Sequence, residues 1–339
     1  MLVSNRRRFL QFLTATTGLT LSSHLWGCNQ PNFSQSQSQK LAQLTIGGSP
    51  IVISVLLAYL SEQPQIQALA EEVDFRLWKT HDRLRADVVA AQLQISATPT
   101  SLAANLYQRG VPIKLLNVLV WGVLNLWSRD RSISSWEDLR DKKVLIPFRG
   151  GLPAQLFFYL ASENGLDPKQ ELEIQYTTDF VQAIQLLLAQ RGDAALLSEP
   201  AGTAAEIQGE NQGIPIRLVL NLQQEWGKAT KKEPRIPQAG TLALTSLIED
   251  YPELIQLVQA GLKNATTWTR ENPSLAAQLG SKYLGLKPEI IERSLARTPL
   301  AMVTGVEARA DLEIWFSRLM QKNPKFLGSQ LPNAGFYYG

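Results

Sequence analysis

Short β-rich runs alternate with helical periodicity from Lys40 onward, and this alternation is the strongest constraint on the fold of the chain. The unit first occurs in Leu44–Ile46, Gly47–Pro50 and Ile51–Leu60, which are predicted as a strand, a turn and an apolar helix. Hydrophobic residues that recur at the strand period and then at the helix period are typical of α/β proteins, in which helices cover the faces of a sheet. The predicted fold class is therefore α/β, with mixed sheets, flanking helices and a helical C-terminal region.

The same unit recurs along most of the chain. Further strands are predicted at residues 73–78, 93–96, 113–121, 124–128, 143–147, 172–176, 193–197, 217–220 and 241–245. Further helices are predicted at residues 83–92, 101–109, 135–140, 153 to about 165, and 179–190. Three of these helices have predicted caps, from Thr100 or Ser101, from Ser134 or Ser135, and from Thr178 or Asp179. Beyond them we predict an exposed connection at 224–238 and a mostly helical region from 247 to about 322.

Two strand-and-helix blocks, a long connection and a helical tail suggest a chain that passes twice between two lobes. The crossings are placed near residues 122–130 and 222–239. Lobe one would then comprise 41–122 plus 239–339, and lobe two 123–238. The length of 339 residues suits one large domain or two of medium size.

Composition and charge exclude several classes of protein. With 45% hydrophobic and 19% charged residues, the composition is that of an ordinary globular protein. The formal net charge of +3 comes from three consecutive arginines near the N-terminus, because the other basic residues balance the acidic ones. Nucleic-acid binding is therefore not expected. The only cysteine is Cys28 and the only histidines are His24 and His81, so we predict no internal disulfide, no metal site and no cofactor.

The first 28 residues have the three-part plan of a secretory signal. A basic start precedes a moderately apolar run at 9–25, and a small residue precedes Cys28. The run is short for a membrane span and is diluted by polar residues. The segment NRRRFLQ, which contains Arg6 and Arg7, resembles a twin-arginine export signal, although its first and last residues depart from the usual pattern. The twin-arginine route and the general route both remain open.

The segment Leu25–Cys28 resembles a bacterial lipobox, in which the cysteine is acylated and becomes the new N-terminus. Leucine and glycine fit this pattern, whereas the bulky Trp26 departs from it. The alternative is a free cysteine in an ordinary signal or in a short anchor helix. The Ser-Gln-rich stretch at 29–40 has the composition of a flexible tether, which favours a lipid anchor at Cys28.

One long segment and two shorter ones carry a resemblance to a known family. Residues 133–202 contain ISSWEDLRDKKVLIPFRGGLPAQLFFYLASENGLDP followed by LEIQYTTDFVQAIQLLLAQRGDAALLSEPAG. Further matches are LTIGGSP at 44–50 and, more weakly, 217–254. This order of motifs resembles the substrate-binding proteins of nitrate/sulfonate/taurine-type ABC importers, including thiamine-pyrimidine receptors. The resemblance covers most of residues 41–265.

The resemblance implies a two-lobed, type-II periplasmic-binding-protein fold and a function in binding without chemistry. The solute would be small, polar and organic, either anionic or similar to a sulfonate or a pyrimidine. Its partners would be ABC permease subunits with a cytoplasmic ATPase, and the protein would be a monomer held at the outer side of the cytoplasmic membrane. This chain lacks the histidine-rich character expected of a nitrate receptor.

Ligands of open α/β sheets lie beyond the carboxyl ends of the strands. In this chain those ends are Gly47–Pro50, Ser96–Ser101, Phe148–Gly151 and Ser198–Gly202. The candidate ligand-binding residues at or near these ends are Ser49, Pro50, Ser96, Thr98, Trp121, Gly122, Arg149, Gly150, Gly151, Glu199 and Trp226.

The turn from Arg149 to Pro153 is the most informative of these ends. Two glycines let the backbone approach a ligand, and the following helix presents free N–H groups. Arg149 would grip a carboxylate, sulfonate or phosphate, or would instead be solvated beside an ordinary turn. Glu199 would meet a cationic ligand group or form an ion pair between the lobes, and each tryptophan would line the pocket or pack in the core.

Two other functions remain open. An enzyme on the same fold, of the pyrimidine-forming or menaquinone-pathway type, would need a catalytic His, Cys or buried carboxylate in the cleft. A periplasmic sensor subunit would bind a solute and dock on a membrane partner without transport.

Overall fold

Two mixed sheets organise the part of the chain that the computed structural model describes, which is residues 40–324, 326–328 and 330–339. Arg6, Arg7, Cys28 and the tether at 29–39 lie outside the described residues. The strands are β1 (Leu41–Gly48), β2 (Ala70–Leu77), β3 (Ile95–Pro99), β4 (Ile113–Val120), β5 (Leu124–Ser128), β6 (Lys143–Pro147), β7 (Glu173–Thr177), β8 (Ala194–Ser198), β9 (Arg217–Asn221), β10 (Ala239–Leu244) and β11 (Leu300–Thr304).

Helices follow most of these strands. They are α1 (Ile53–Ser61), α2 (Pro64–Gln67), α3 (His81–Val89), α4 (Thr100–Gln108), α5 (Leu152–Glu163), α6 (Phe180–Leu188), α7 (Ala201–Gln212), α8 (Leu222–Thr230), α9 (Thr245–Asp250), α10 (Pro252–Glu271), α11 (Pro273–Leu284), α12 (Pro288–Arg297) and α13 (Arg309–Lys322). Short 3₁₀ turns occur at Glu137–Leu139 and Ala334–Phe336. None of the helices in the described ranges combines the length and apolar character needed to cross a bilayer.

The first sheet has the strand order β11-β4-β10-β3-β1-β2, and the second has the order β7-β6-β8-β5-β9. In the first sheet β1 pairs in parallel with β2 and β3, and β10 runs antiparallel between β3 and β4. In the second sheet β6 pairs in parallel with β7 and β8, and β5 runs antiparallel beside β8. The predicted α/β fold with two lobes and mixed sheets is confirmed.

The chain changes sheets at two adjacent places. It leaves the first sheet after β4 and enters the second at β5, and it returns between α8 and β10. The two passages are hydrogen-bonded to each other. Ile236 N donates to Trp121 O at 3.1 Å, and Val123 N donates to Gln238 Oε1 at 3.0 Å. A paired connection of this kind lets two lobes rotate about one line.

Three local predictions differ from the structure. The segment predicted as an exposed connection contains α8, which Asn221 caps by accepting from Gln223 N and Gln224 N. The predicted C-terminal helical region is interrupted by β11, which extends the first sheet beside β4. Neither candidate caps α4, since the helix begins at Thr100 and the Thr100 hydroxyl donates to Pro237 O at 2.6 Å.

Candidate functional site

On the first sheet, polar groups cluster at the carboxyl ends of the parallel strands. Ser49 and Ser96 are buried, and Ser54 Oγ donates to Ser49 O at 2.5 Å. Trp78 follows β2, and its indole Nε1 donates to Ser96 Oγ at 3.1 Å. Its backbone N donates to Gly48 O at 2.8 Å. Trp78 therefore ties the ends of the three strands together.

The structure separates the remaining first-sheet candidates by exposure. Pro50 is exposed, while Thr98 lies buried on β3 opposite Gly240 of β10. Ser49 and Pro50 directly precede the first turn of α1, and Ile291 and Leu295 of α12 pack against Val52 and Val55 at that end of α1. Helix α12 therefore packs against the start of α1, which follows the end of β1.

On the second sheet, the loop after β6 holds an aromatic residue in an uncommon backbone conformation. Phe148 has a φ of 60° and is 42% exposed, and its ring packs edge-on against Phe180. A positive φ is rare for a bulky residue and occurs where the surroundings impose it. Gly151 N donates to Phe148 O at 2.7 Å, which closes the turn into α5.

Arg149 and the two glycines lie at the open side of this turn. Arg149 is exposed, and its guanidinium lies 5.2 Å from the centroid of the Tyr176 ring. Gly150 has a φ of +73°, and a Cβ there would meet no atom within 4 Å. The positive φ accounts for a glycine at position 150, and the space around this residue is open to solvent.

Glu199, which follows β8, is the most buried charged candidate. Only 1% of the residue is exposed. Its Oε2 accepts from Thr203 N at 3.2 Å and from Thr203 Oγ1 at 2.8 Å. Burial raises the pKa of the Glu199 carboxyl above its ordinary value, although the hydrogen bonds from Thr203 and the charge of Arg297 oppose that rise.

Helix α12 of the first lobe contacts helix α7 of the second through a group of ion pairs. Arg297 Nη1 donates to Thr203 Oγ1 at 3.0 Å, and its Nη2 lies 2.7 Å from Glu206 Oε2. Arg293 also pairs with Glu206, and it lies 3.2 Å from Glu210. Each arginine side chain is about 30% exposed and Glu206 is 16% exposed, so these pairs are partly shielded from solvent.

The passage between the sheets holds Trp121 and Gly122. Trp121 is buried, its Nε1 donates to Ala301 O at 2.9 Å, and the Arg235 guanidinium lies 4.8 Å from its ring centroid. Gly122 has a φ of +127°, and a Cβ there would overlap the buried Gln223 side chain. Both residues therefore shape the passage.

Trp226 does not lie with the strand-end candidates. It is 3% exposed on α8 and packs between Tyr159 of α5 and Trp315 of α13. Core packing was one of its two sequence interpretations, and the contacts favour that one.

We call the place where α12 contacts α7, near the end of β8, the strand-end junction. Several residues at or beside this junction were not predicted from the sequence. They are Asn125, Trp127, Thr203, Arg293 and Arg297. The spacing of Arg293 and Arg297, four apart on one helix, matches that of Glu206 and Glu210 on another. That matched spacing was an available signal, but only the tertiary fold shows that the two helices meet.

A shallow polar depression lies at the amino ends of β6 and β7, away from Glu199. It is lined by Lys143, Glu173, Gln175, Gln190, Arg191, Gly192 and Asp193. Three of its charged residues are already paired, since Lys143 Nζ lies 2.7 Å from Glu173 Oε1 and Asp193 lies 3.8 Å from Arg129. The strand-end junction is the better candidate because it holds buried polar atoms without partners.

Solved structures share this architecture. An ABC transporter protein from Parabacteroides distasonis superimposes with a TM-score of 0.74 at 20% identity, over 88% of this chain and 99% of that one. The chain has the fold of the two-lobed periplasmic binding proteins. The aliphatic sulphonate binding protein SsuA of Escherichia coli shares this binding-protein fold, with a TM-score of 0.66 at 17% identity over 83% and 92% of the two chains.

Other comparisons are more distant. The putative binding protein YtlA of Bacillus subtilis is 19% identical over 164 residues, which span 48% of this chain and about half (46%) of that relative. The nitrate-binding protein NrtA of Synechocystis PCC 6803 shares the binding-protein fold at a TM-score of 0.57 and 16% identity, over 75% of this chain and 70% of that one. The desulfurization enzyme DSZB also shares this fold. It superimposes with a TM-score of 0.56 at 15% identity, over 86% of this chain and 94% of that one. No family model matches the chain.

Proposed function

We propose that this chain is an exported solute-binding protein that captures a small polar organic solute between its two lobes and delivers it to an ABC importer. The observation that carries the proposal is the junction of α12 with α7. There, Arg297 of α12 contacts Thr203 and Glu206 of α7, close to the buried carboxyl of Glu199 at the end of β8. Solute pockets combine a largely apolar surface with a few placed polar groups in this way.

Closure about the paired passages would enclose the solute. The proposed lobes are 41–122 plus 239–339 and 123–238, and the change of sheet membership near Trp121–Val123 and before Ala239 supports this division. Helix α13 packs on α5, which links the end of lobe one to lobe two. With these contacts at the hinge, the two lobes would close by rotating as rigid bodies.

The proposed site combines three groups of residues. In lobe one, Ser49 and Pro50 follow β1, Ser96 of β3 pairs with Gly47 near the end of β1, and Thr98 lies near the end of β3. Arg149, Gly150, Gly151 and Glu199 lie at the strand ends of lobe two, and Trp121 and Gly122 lie at the passage. The enclosed solute would meet exposed groups at the rim and Glu199 at the buried centre. Trp226 would support the site from the core.

Delivery would require membrane partners and a membrane address. ABC permease subunits with a cytoplasmic ATPase would recognise the closed form. The signal at Arg6 and Arg7 would direct export, by the twin-arginine route, and acylation of Cys28 would hold the monomeric protein at the outer side of the cytoplasmic membrane through its tether.

Thermal melting across a solute panel tests this function. The panel holds sulfonates, carboxylates, amines and pyrimidines, and we expect at least one class to raise the melting temperature. A solute that binds only the folded state must do so. If no class shifts the melting temperature, the proposed function is wrong.

A second candidate is an enzyme on this fold, which the neighbour DSZB favours. His81, the histidine beyond the signal, has its ring centroid 5.9 Å from that of Trp78. The stabilising solute should be recovered unchanged after prolonged incubation with the protein, as judged by mass spectrometry. Conversion that His81→Asn abolishes would instead establish the enzyme.

A further inference from the structure

Three buried polar side chains form a row on one face of the second sheet. Asn125 of β5 is paired with Leu197 of β8, so Glu199, two residues further on, is the diagonal neighbour of Asn125 on the same face. Trp127 lies two residues along β5 and faces the same way. Asn125 and Trp127 are fully buried and Glu199 is 1% exposed.

Each member of this polar row has an atom without a partner. These atoms are Asn125 Oδ1 and Nδ2, Trp127 Nε1 and Glu199 Oε1, which have no hydrogen-bond partner among the described residues. Buried polar atoms in native proteins are almost always hydrogen-bonded, because an unpaired one loses its solvation without compensation. Four such atoms in neighbouring residues indicate a shared ligand more strongly than one does.

The row lies where the two lobes meet. Gly202 of α7 approaches so closely that a Cβ there would overlap the Trp127 indole near Nε1. From the other lobe, the Arg297 guanidinium lies 5.2 Å from the Trp127 ring centroid, and Ser294 and Arg297 of α12 face Glu199. Opening the lobes would withdraw α12 from the row and admit a solute.

The hydrogen bonds around Glu199 determine whether its unpartnered oxygen, Oε1, can donate or accept a hydrogen bond. Arg297 Nη1 donates to Thr203 Oγ1, and the single hydroxyl hydrogen of Thr203 is then directed to Glu199 Oε2. Oε2 accepts two hydrogen bonds and has no hydrogen to give. An ionised Oε1 is therefore a second acceptor, and the diagonal neighbour Asn125 carries an amide that both donates and accepts.

We propose that Glu199, Asn125 and Trp127 form a subsite for a solute group that carries N–H hydrogens, such as an ammonium, an amidine or an amino group on a heterocycle. This inference rests on the proposed function and narrows its solute class. The N–H group donates to Glu199 Oε1 and Asn125 Oδ1, while Asn125 Nδ2 and Trp127 Nε1 donate to an acceptor on the same solute.

An anionic group at this position would need a protonated Glu199. The charged groups that face the carboxyl are Arg297 from α12 and, through that arginine, Glu206 from α7, and the neutral Thr203 and Ser294 complete its surroundings. Burial already favours the protonated form. Binding of an N–H solute therefore strengthens as pH rises through the pKa of Glu199, and binding of an anion there strengthens as pH falls.

Matched solute pairs test the subsite. One pair is 2-aminoethanesulfonate and 2-hydroxyethanesulfonate, and the other is 5-aminomethylpyrimidine and 5-hydroxymethylpyrimidine. With wild-type protein, we expect titration calorimetry to show tighter binding of an amino member than of its hydroxy partner. Glu199→Gln should weaken binding of that member by about 10- to 100-fold. Glu313→Gln, which removes one partner of an exposed ion pair on α13 outside the α12–α7 contact, should leave it unchanged.

The outcomes separate the two proposals. If the hydroxy member binds as tightly as the amino member, or if Glu199→Gln binds the amino member as tightly as wild type, the subsite is wrong and the proposed function stands. Binding that strengthens as pH falls also overturns the subsite. If neither these probes nor any solute of the wider panel binds, both proposals fall.

Discussion

Arg297 Nη2 lies 2.7 Å from Glu206 Oε2, and this ion pair joins a helix of one lobe to a helix of the other. Glu206 also accepts from Arg293, so a single partly buried carboxylate holds two guanidinium groups. The contact between α12 and α7 therefore depends on charge.

Glu206→Gln should lower the free energy of unfolding by about 1 kcal/mol, because a partly buried ion pair contributes more to stability than an exposed one does. Urea unfolding measures the change, and 1 M salt, a concentration at which charges are strongly screened, should reduce it. Glu313→Gln, whose i,i+4 pair with Arg309 is more exposed, is the control and should cost less than about 0.5 kcal/mol. Equal costs in the two variants would contradict the shielded ion pair.

Trp226→Ala should lower the free energy of unfolding by about 3 to 5 kcal/mol, since the indole fills space between Tyr159 and Trp315. Phe148→Ala removes an aromatic ring that is 42% exposed and should cost about 0.5 kcal/mol. Guanidinium unfolding followed by circular dichroism compares them. A cost below about 1 kcal/mol for Trp226→Ala would contradict its packing in the core.

Gly122→Ala should destabilise the protein by more than about 2 kcal/mol, because its Cβ would overlap Gln223 at a backbone φ of +127°. Gly150→Ala is the matched variant, since its φ is also positive but the space around it is open. It should cost about 1 kcal/mol from backbone strain alone. Similar melting temperatures for the two variants would contradict the close contact in the passage.

Glu199→Gln should raise the stability of the unliganded protein at neutral pH. Burial holds the pKa of Glu199 above its unfolded value, so the folded state binds the proton more tightly. This contribution to stability is present below the unfolded pKa and is lost as pH rises through the folded pKa. The free energy of unfolding can be measured by urea at a series of pH values. In the variant, the part of its pH dependence that comes from the Glu199 carboxyl should be absent. An unchanged pH profile would contradict the raised pKa.

Cys28→Ser should release the exported chain from the membrane fraction into the soluble periplasmic fraction, because it removes the acylation site. Labelling with radioactive palmitate should mark the wild-type chain and not the variant. Wild-type protein that is soluble and unlabelled would show that Cys28 is not acylated.

The sequence predicts the order of strands and helices well because the central strands β3, β4, β6 and β8 have strong apolar runs and most strands are followed by a periodic helix. It fails where tertiary contacts override composition. Trp226 lies among glutamine and lysine residues in a polar segment, and its burial depends on Trp315, which is far away in the chain. Leu300–Thr304 is short and follows a helix directly, so its pairing with β4 has little local signal.

The candidate site was predictable only in part. Strand ends such as Ser96 and Glu199 follow from topology, since ligands of α/β sheets lie there. Asn125 and Trp127 were not predictable, because they lie on an antiparallel strand that enters the junction by its amino end. Their role depends on register with β8 and on the approach of Arg297 from the other lobe.

Hydrogen–deuterium exchange with and without the stabilising solute tests the central claim, capture between two lobes, most directly. The account predicts that the solute slows exchange at the strand ends of both sheets, at residues 48–50 and 96–99 of the first and 148–151 and 198–203 of the second. Slower exchange at only one sheet, or only at the depression around Lys143 and Asp193, would contradict it.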